Sequence, residues 1–272
     1  MSESVSFDPV ADRYDETRVI PPYAMPMITR GLLHLGEVAP SGTMLEIGIG
    51  TGRISLPLLG EGVNVTGVDI SPRMVERLET KYEAMRQAEP LHHWGTLKTR
   101  ITDITALPFD TGAFDAAVAV HVLHLVPEWR RAMDEALRVV KPGGAFLLGQ
   151  EQRNGDDVHH RVQNAWVAIV QELGFAATYP GAGFSTLVSD ARERGLRVDE
   201  HLLTSWDVTA TPGDVLLWIT ERTWSRTWAI PDDVFAESVR RLTGWVQHEY
   251  REEVDTPQRM PISFSVARIR RK

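Results

Sequence analysis

From about residue 43 the chain alternates, and that alternation narrows the folds open to it. Short apolar runs of β type recur at "TMLEI", "VNVTGVD", "LKTRITD", "FDAAVAV" and "GAFLLGQ". Between them lie segments with helical spacing or helix start signals. In "SPRMVERLETKYEAM", Ser71 is a capping hydroxyl and Pro72 takes the first helical position, while Met74, Val75, Leu78 and Tyr82 share one face. In "PEWRRAMDEALRVVKPGG", Trp129, Met133, Ala136, Leu137 and Val140 are expected to face inward, with Pro142-Gly143-Gly144 breaking the helix. Strands joined by crossover helices imply an α/β fold with a doubly wound, mainly parallel sheet.

The C-terminal half is less regular. Residues 197–205 alternate like a further strand, and "PISFSVARIRR" does so again at the end. Between them, over 209–257, the patterns "PGDVLLWITERTW" and "PDDVFAESVRRLTGWVQHEY" read as helices inserted before the last strand. The expected organisation is one domain over 1–272, with an N-terminal helical cap at 1–37. The core takes 38–208 and 258–272, and a helical insertion or lid takes 209–257. The insertion carries Trp218, Trp224, Trp228, Trp245, Phe235 and Tyr250, residue types found more often between helices than on a ligand.

Composition excludes several functions. The chain has no cysteine, which removes disulfides, thiolate metal sites and cysteine nucleophiles together. A formal charge of −8 argues against a nucleic-acid partner, and the short basic "RIRRK" at the C-terminus reads as solvation. No apolar run approaches the roughly 20 residues of a membrane helix, and the acidic start is unlike a signal peptide, so a cytoplasmic location is the expectation. No metal-ligand spacing stands out; the adjacent His159 and His160 of "VHHR" point different ways on any regular element and read as surface residues.

The segment "LEIGIGTGRISLPL" places Gly48, Gly50 and Gly52 between an apolar run and a helical pattern. Glycine there lets a ligand press against the main chain. A dinucleotide fingerprint needs a third glycine at position 53, which is Arg53, and no Gly-Lys-Ser/Thr of a phosphate loop follows. Nucleotide-phosphate ligands are therefore disfavoured by the motif itself.

"LEIGIGTGR", Asp69 closing "VTGVD", "DITALPF", "FDAAVAVHVLHLV" and "LRVVKPGG" stand in the order of the class I S-adenosylmethionine-dependent methyltransferases. The chain resembles their small-molecule branch, the ubiquinone- and menaquinone-biosynthesis type (methyltransferase type 11), well over residues 5–150 and in outline beyond. The resemblance implies a seven-stranded Rossmann-like sheet and S-adenosylmethionine as cofactor, leaving S-adenosylhomocysteine as product. It implies that Gly48, Gly50 and Gly52 floor the cofactor site and that Glu46 acts on the ligand's ammonium, directly or through water. Asp69 would accept the ribose hydroxyls, with Ile70 and Met74 beside the adenine. Asp103 and Ile104 match the block that contacts adenine through a carboxylate and a backbone N–H. Val120 and His121 fall where the methionine part meets the methyl acceptor. His121 could accept the acceptor's proton or form a hydrogen-bonded wall, and His124, one helical turn on, reads as packing.

In "FDPVADRYDETR" the resemblance places Tyr14 and Arg18 on a helix over the cofactor, Tyr14 near the methionine end and Arg18 on its carboxylate. A solvated N-terminal helix with an internal ion pair is the competing reading of that segment. The implied reaction is in-line methyl transfer to an O, N or C atom of a small organic molecule, without a metal. The Asn-Pro-Pro-Tyr block of nucleic-acid amino-methylating relatives is absent; "HVLH" stands there. The alternatives are a cofactor-binding regulator without turnover and, less favoured, an NAD-linked oxidoreductase. The oligomeric state is left open.

Overall fold

A computed structural model describes residues 4–153 and 155–272, apart from the side chains of Pro9, Arg13 and Thr17. A 3-10 turn at Asp8–Arg13 leads into α1 (Tyr14–Thr17) and α2 (Met25–Gly36). Then follow β1 (Thr43–Ile47), α3 (Ser55–Gly60), β2 (Asn64–Asp69), α4 (Pro72–Ala88), β3 (Leu97–Ile101) and β4 (Phe114–Val120). The second half runs α5 (Trp129–Val139), β5 (Val140–Arg153), α6 (Val158–Glu172), α7 (Phe184–Glu193), β6 (Arg197–Ala210), α8 (Pro212–Thr220), α9 (Asp232–Tyr250) and β7 (Gln258–Arg270).

The seven strands form one sheet in the order β3-β2-β1-β4-β5-β7-β6, with β7 antiparallel, so the doubly wound, mainly parallel α/β fold is the observed one. β1 pairs in parallel with β2 on one side and β4 on the other. The strand order therefore reverses at β1. In such a sheet the carboxyl ends of the strands at the reversal open a crevice, because successive connections leave in opposite directions.

Residues 4–151, 180–204 and 264–272 make one compact unit, and 152–179 with 205–263 make a second, Asn154 aside. The first is built around Leu45, Ile47, Ala117, Ala119, Phe146 and Leu148 from the central strands, packed with Met133, Ala136 and Leu137 of α5. Burying each large aliphatic chain contributes roughly 1.5 to 3 kcal/mol, which is why the alternation along the chain dictates the layers. Ser71 caps α4 as expected, its hydroxyl accepting from Met74 N at 3.2 Å. One boundary differs. α5 ends at Val139, and Val140 through Gly144 are already extended, with a register shift between the Phe114–Val140 and Ala116–Ala145 pairs. Gly144 lies so close to Asp115 that a Cβ would meet its carbonyl oxygen at 2.3 Å, so the Pro-Gly-Gly run makes a bulged strand start.

The second unit holds the helices of 209–257 together with α6, whose helical spacing (Val158, Val162, Trp166, Val170) the sequence reading passed over. Trp166 is fully buried and its indole N–H donates to Ser238 Oγ at 3.0 Å. Trp224, Phe235 and Tyr250 are buried in this core, and Trp218 and Trp245 pack against it. The surface reading of His159 is corrected here: the ring is buried on α6, 4.7 Å from that of Trp224, while His160 beside it is half-buried and bonded to Asp157. Among the described residues, no helix is long and apolar enough to cross a membrane.

Candidate active site

The three glycines after β1 all have positive φ, at +69°, +54° and +83°. They do different things. A Cβ on Gly48 would sit 2.6 Å from Val122 Cγ2, and one on Gly52 would sit 2.2 Å from Leu78 Cδ1. Those two let the loop press against the segment after β4 and against α4. A Cβ on Gly50 would meet only Met74 Cε, at 3.4 Å, and so would project into open space. Gly48 and Gly50 line a pocket of about 640 Å³ at the carboxyl ends of the strands. Gly52 does not line it.

Asp69, the last residue of β2, also lines this pocket. Its Oδ2 accepts from Gly50 N and its Oδ1 from Ser71 N, both at 2.9 Å. Burial pushes its pKa up, opposed by the backbone N–H groups of Ser71, Gly50 and Ile70. The carboxylate ties the glycine loop to the turn before α4, and Ser71 leaves it free of the helix-capping role. Each oxygen retains a lone pair for a ligand hydroxyl. Ile70 and Met74 border the same space. So do Asp103 and Ile104, just beyond β3; Asp103 Oδ1 is held by Thr105 N at 2.8 Å. Val120 and His121, at the end of β4, complete that wall.

Glu46 is placed differently. It is 3 % exposed, does not border the pocket, and accepts a hydrogen bond from Ser55 Oγ of α3. Burial pushes its pKa up to about 8 against the pull of Ser55 and Arg53, so the group is protonated at neutral pH.

Ser4, Val5, Phe7 and Tyr14 bring the N-terminal segment to the pocket. Phe7 and Tyr14 stack edge to face at 5.6 Å. The segment is held on α4 by a charge ladder. Arg73 pairs with Asp12 at 2.5 Å, Arg77 with Asp12 at 3.2 Å, and Lys81 with Asp15 at 3.1 Å. Asp8 accepts from the Ser71 hydroxyl, and Asp15 from Thr51 Oγ1 of the glycine loop at 2.6 Å. Hence Asp15 stays below the usual carboxylate range: although burial works against it, the Thr51 and Lys81 hydrogen bonds prevail. Arg18 does not line the pocket. It lies one residue past α1, its guanidinium 5.9 Å from the Tyr14 ring centroid.

The family model described as "Methyltransferase domain" matches residues 45–148, which carry the glycine loop, Asp69, Asp103 and the end of β4. Over those residues the chain is similar to the class I S-adenosylmethionine-dependent methyltransferases. Among its relatives are a phosphatidylethanolamine N-methyltransferase of Cereibacter sphaeroides, 38 % identical over 40 % of this chain and 51 % of that protein. A demethylmenaquinone methyltransferase of Clavibacter sepedonicus is 32 % identical over 53 % of this chain and 56 % of the relative. A 2-methyl-6-phytyl-1,4-hydroquinone methyltransferase of Synechocystis is 27 % identical over 87 % and 68 %. The chain thus spans about half the length of the first two curated relatives. The fold is shared with a putative methyltransferase of Bacillus halodurans (TM-score 0.57, 15 % identity, 89 % and 97 % covered). It is shared too with a Thiobacillus denitrificans methyltransferase crystallised with S-adenosylhomocysteine (TM-score 0.53, 16 % identity, 99 % and 100 % covered).

Two further features of the site are not legible in the sequence. Val122, Leu125 and Val126 give the pocket an apolar side together with Val5 and Phe7. Beside it, Glu151 near the end of β5 pairs with Arg53. The family resemblance points to Asp69, Asp103 and Val120 but not to Glu151; the rule that ligand-facing groups sit at the carboxyl ends of parallel strands, applied to β5 of the observed sheet, leads to it.

Proposed function

We propose that this protein transfers a methyl group from S-adenosylmethionine to a small, largely apolar organic acceptor at an O, N or C atom. The observation that carries this reading is the convergence of Gly48, Gly50, Asp69, Asp103, Ile104 and Val120 on one pocket, at the point where the strand order reverses. The cofactor carries no phosphate, and the loop suits it. Gly50 offers bare backbone, Asp69 has acceptor capacity for the two ribose hydroxyls, and Asp103 has a free carboxylate oxygen for the adenine amine. Met74 and Ile70 give the base an apolar wall. Tyr14 stands at the N-terminal side of the pocket, and Arg18, whose guanidinium lies 5.9 Å from the Tyr14 ring centroid, is the cation proposed for the methionine carboxylate.

When bound, the cofactor supplies an electrophilic methyl on a sulfonium. The chain's own residues bind and orient it, and the apolar side formed by Val5, Phe7, Val122, Leu125 and Val126 excludes water from the transfer. Those residues also support an apolar acceptor. The relatives are named for a phosphatidylethanolamine, a demethylmenaquinone and a phytyl-hydroquinone, all molecules with long apolar parts.

The test is turnover. The full chain incubated with S-adenosylmethionine and a panel of amphipathic phenols, quinols and amines should release S-adenosylhomocysteine with some members and not without an acceptor. Asp69→Ala should lower cofactor affinity by about 100-fold, the loss of charge-assisted hydrogen bonds to two hydroxyls. Binding without release across the panel would favour a non-catalytic cofactor-binding protein.

A further inference from the structure

His121 was expected either to remove a proton from the acceptor or to stand as a hydrogen-bonded wall. Its surroundings distinguish the two. The backbone N–H of Glu151 donates to His121 Nε2 at 3.0 Å. A ring nitrogen that accepts an N–H carries no proton, so a neutral imidazole here holds its proton on Nδ1. The donor is itself held in place. The Glu151 carboxylate, 19 % exposed, is paired with Arg53, 15 % exposed, and the same Nη1 of Arg53 donates to the carbonyl of Arg18 at 3.2 Å. One guanidinium thus joins the glycine loop, the N-terminal segment and the end of β5. His121 also has a φ of +55°, a left-handed conformation that costs a side-chain-bearing residue about 1 to 2 kcal/mol and persists where neighbours enforce it.

Resting on the methyl-transfer reading, we propose that the Glu151 backbone N–H, with Arg53 as the positioning residue that fixes this end of β5 and opposes a second charge, holds His121 as a neutral Nδ1–H imidazole. The ring then serves the bound acceptor as a hydrogen-bond donor to a lone pair and not as the base that takes its proton. In the transfer the carbon–sulfur bond breaks, its electron pair stays on sulfur, and an electron pair of the acceptor other than the one bonded to the imidazole (a second lone pair of an oxygen, or the π pair of an activated ring carbon) forms the new bond to the methyl carbon. Any proton the acceptor sheds passes to bulk solvent before it binds or after it leaves, and not to the imidazole.

The groups facing the ring agree with this. Arg53 of the glycine loop and Arg18 of the N-terminal segment oppose a second positive charge. The Glu151 carboxylate, 3.8 Å from Nε2, favours one. His124, whose ring stands perpendicular at 6.4 Å, comes from the turn after β4. Burial is the largest influence, and the ring's pKa is pulled down to about 4.

The experiment is long-range proton–nitrogen NMR on the full chain labelled with 15N-histidine, His121 being assigned by its absence in His121→Asn, a residue that tolerates the left-handed backbone. The expected spectrum has Nδ1 protonated and Nε2 bare, unchanged from pH 5.5 to 8. In Arg53→Met, the ring's pKa should rise by about one unit or more, because an opposing cation is gone and the Glu151 charge remains. Glu151→Gln keeps the backbone donor, so it should leave the tautomer intact and lower the pKa further; this isosteric variant decides the matter if Arg53→Met does not fold. In turnover, His121→Asn should lower kcat about tenfold, with little change in KM for the cofactor and no loss of a limb near pH 6.5. A wild-type ring protonated on Nε2, or one titrating near 6.5 with a matching limb in kcat that His121→Asn abolishes, would overturn the proposal. The NMR readout needs no ligand. Failure of the wild-type chain to bind S-adenosylmethionine would sink the methyl-transfer reading while leaving the tautomer result standing.

Discussion

The floor of the pocket and the N-terminal segment that borders it are built by different physics. The floor is main chain. Positive-φ glycines lie against Val122 and Leu78, Gly50 N and Ser71 N converge on Asp69, and Glu46 is sealed beneath against Ser55. The N-terminal segment is held by side-chain charge, Asp12 and Asp15 on Arg73, Arg77 and Lys81, all more than a third exposed. Exposed ion pairs contribute little singly and are screened by salt. Packed glycines have no such dependence. The pocket thus has a main-chain floor and a border that can be loosened separately.

The sharpest contrast within the floor is between Gly52 and Gly50. Gly52→Val places a β-branched side chain at φ +83° with its Cβ 2.2 Å from Leu78, and should cost roughly 3 to 5 kcal/mol in urea unfolding. Gly50→Val also bears a left-handed backbone, at φ +54°, but its Cβ meets only Met74 Cε at 3.4 Å. Its stability should fall less than that of Gly52→Val, by roughly 1 to 2 kcal/mol, while the pocket is filled.

Glu46 and Asp15 should divide the two regions by pH. Glu46 has a folded pKa near 8 against an ordinary 4.5, so the folded state holds the proton more tightly. Its contribution is fully present below about pH 4.5 and is lost as pH rises through about 8. Glu46→Gln should flatten that decline in a stability–pH series. Asp15 has the opposite sign. Its pKa lies below 3.8, so its contribution is present above that value and disappears as pH falls through the folded pKa. The smallest effect belongs to the charge ladder. Raising salt from 0.05 to 0.5 M should speed cofactor dissociation about two- to fivefold in stopped-flow, and Asp12→Arg should do likewise at low salt. Restoration by adding Arg73→Asp would show that the pair acts directly; an unchanged dissociation rate in Asp12→Arg would remove the ladder from the account.

The parts of the site legible in sequence are those in which residue type and local position suffice. Gly48 and Gly50 follow an apolar run, Asp69 closes β2, Asp103 lies just beyond β3 and Val120 ends β4, and the order of these blocks along the chain, matched to the family they resemble, names each role. What the sequence does not disclose is pairing over distance. Glu151 reaches Arg53 across 98 residues, and the bond that fixes the His121 proton comes from a backbone N–H 30 residues away. The acids at 8, 12 and 15 are visible as a spacing, but nothing local says that α4 presents cations at 73, 77 and 81 to meet them. α6 was missed for another reason. Adjacent histidines at 159 and 160 read as surface residues, yet His159 turns its ring onto Trp224 and keeps the helical face continuous. The Pro-Gly-Gly after α5 was read as a helix stop alone, while it also starts β5 with a bulge.

The central claim is that Gly50 floors an S-adenosylmethionine site. Titration calorimetry of the cofactor into the wild-type chain and into Gly50→Val tests it most directly. One site per wild-type chain is expected, with a loss of at least about 100-fold in affinity in the variant, whose fold persists with its stability lowered only by the roughly 1 to 2 kcal/mol that the left-handed backbone costs a side chain. Equal affinity in the two proteins, or no binding to either, would contradict the claim.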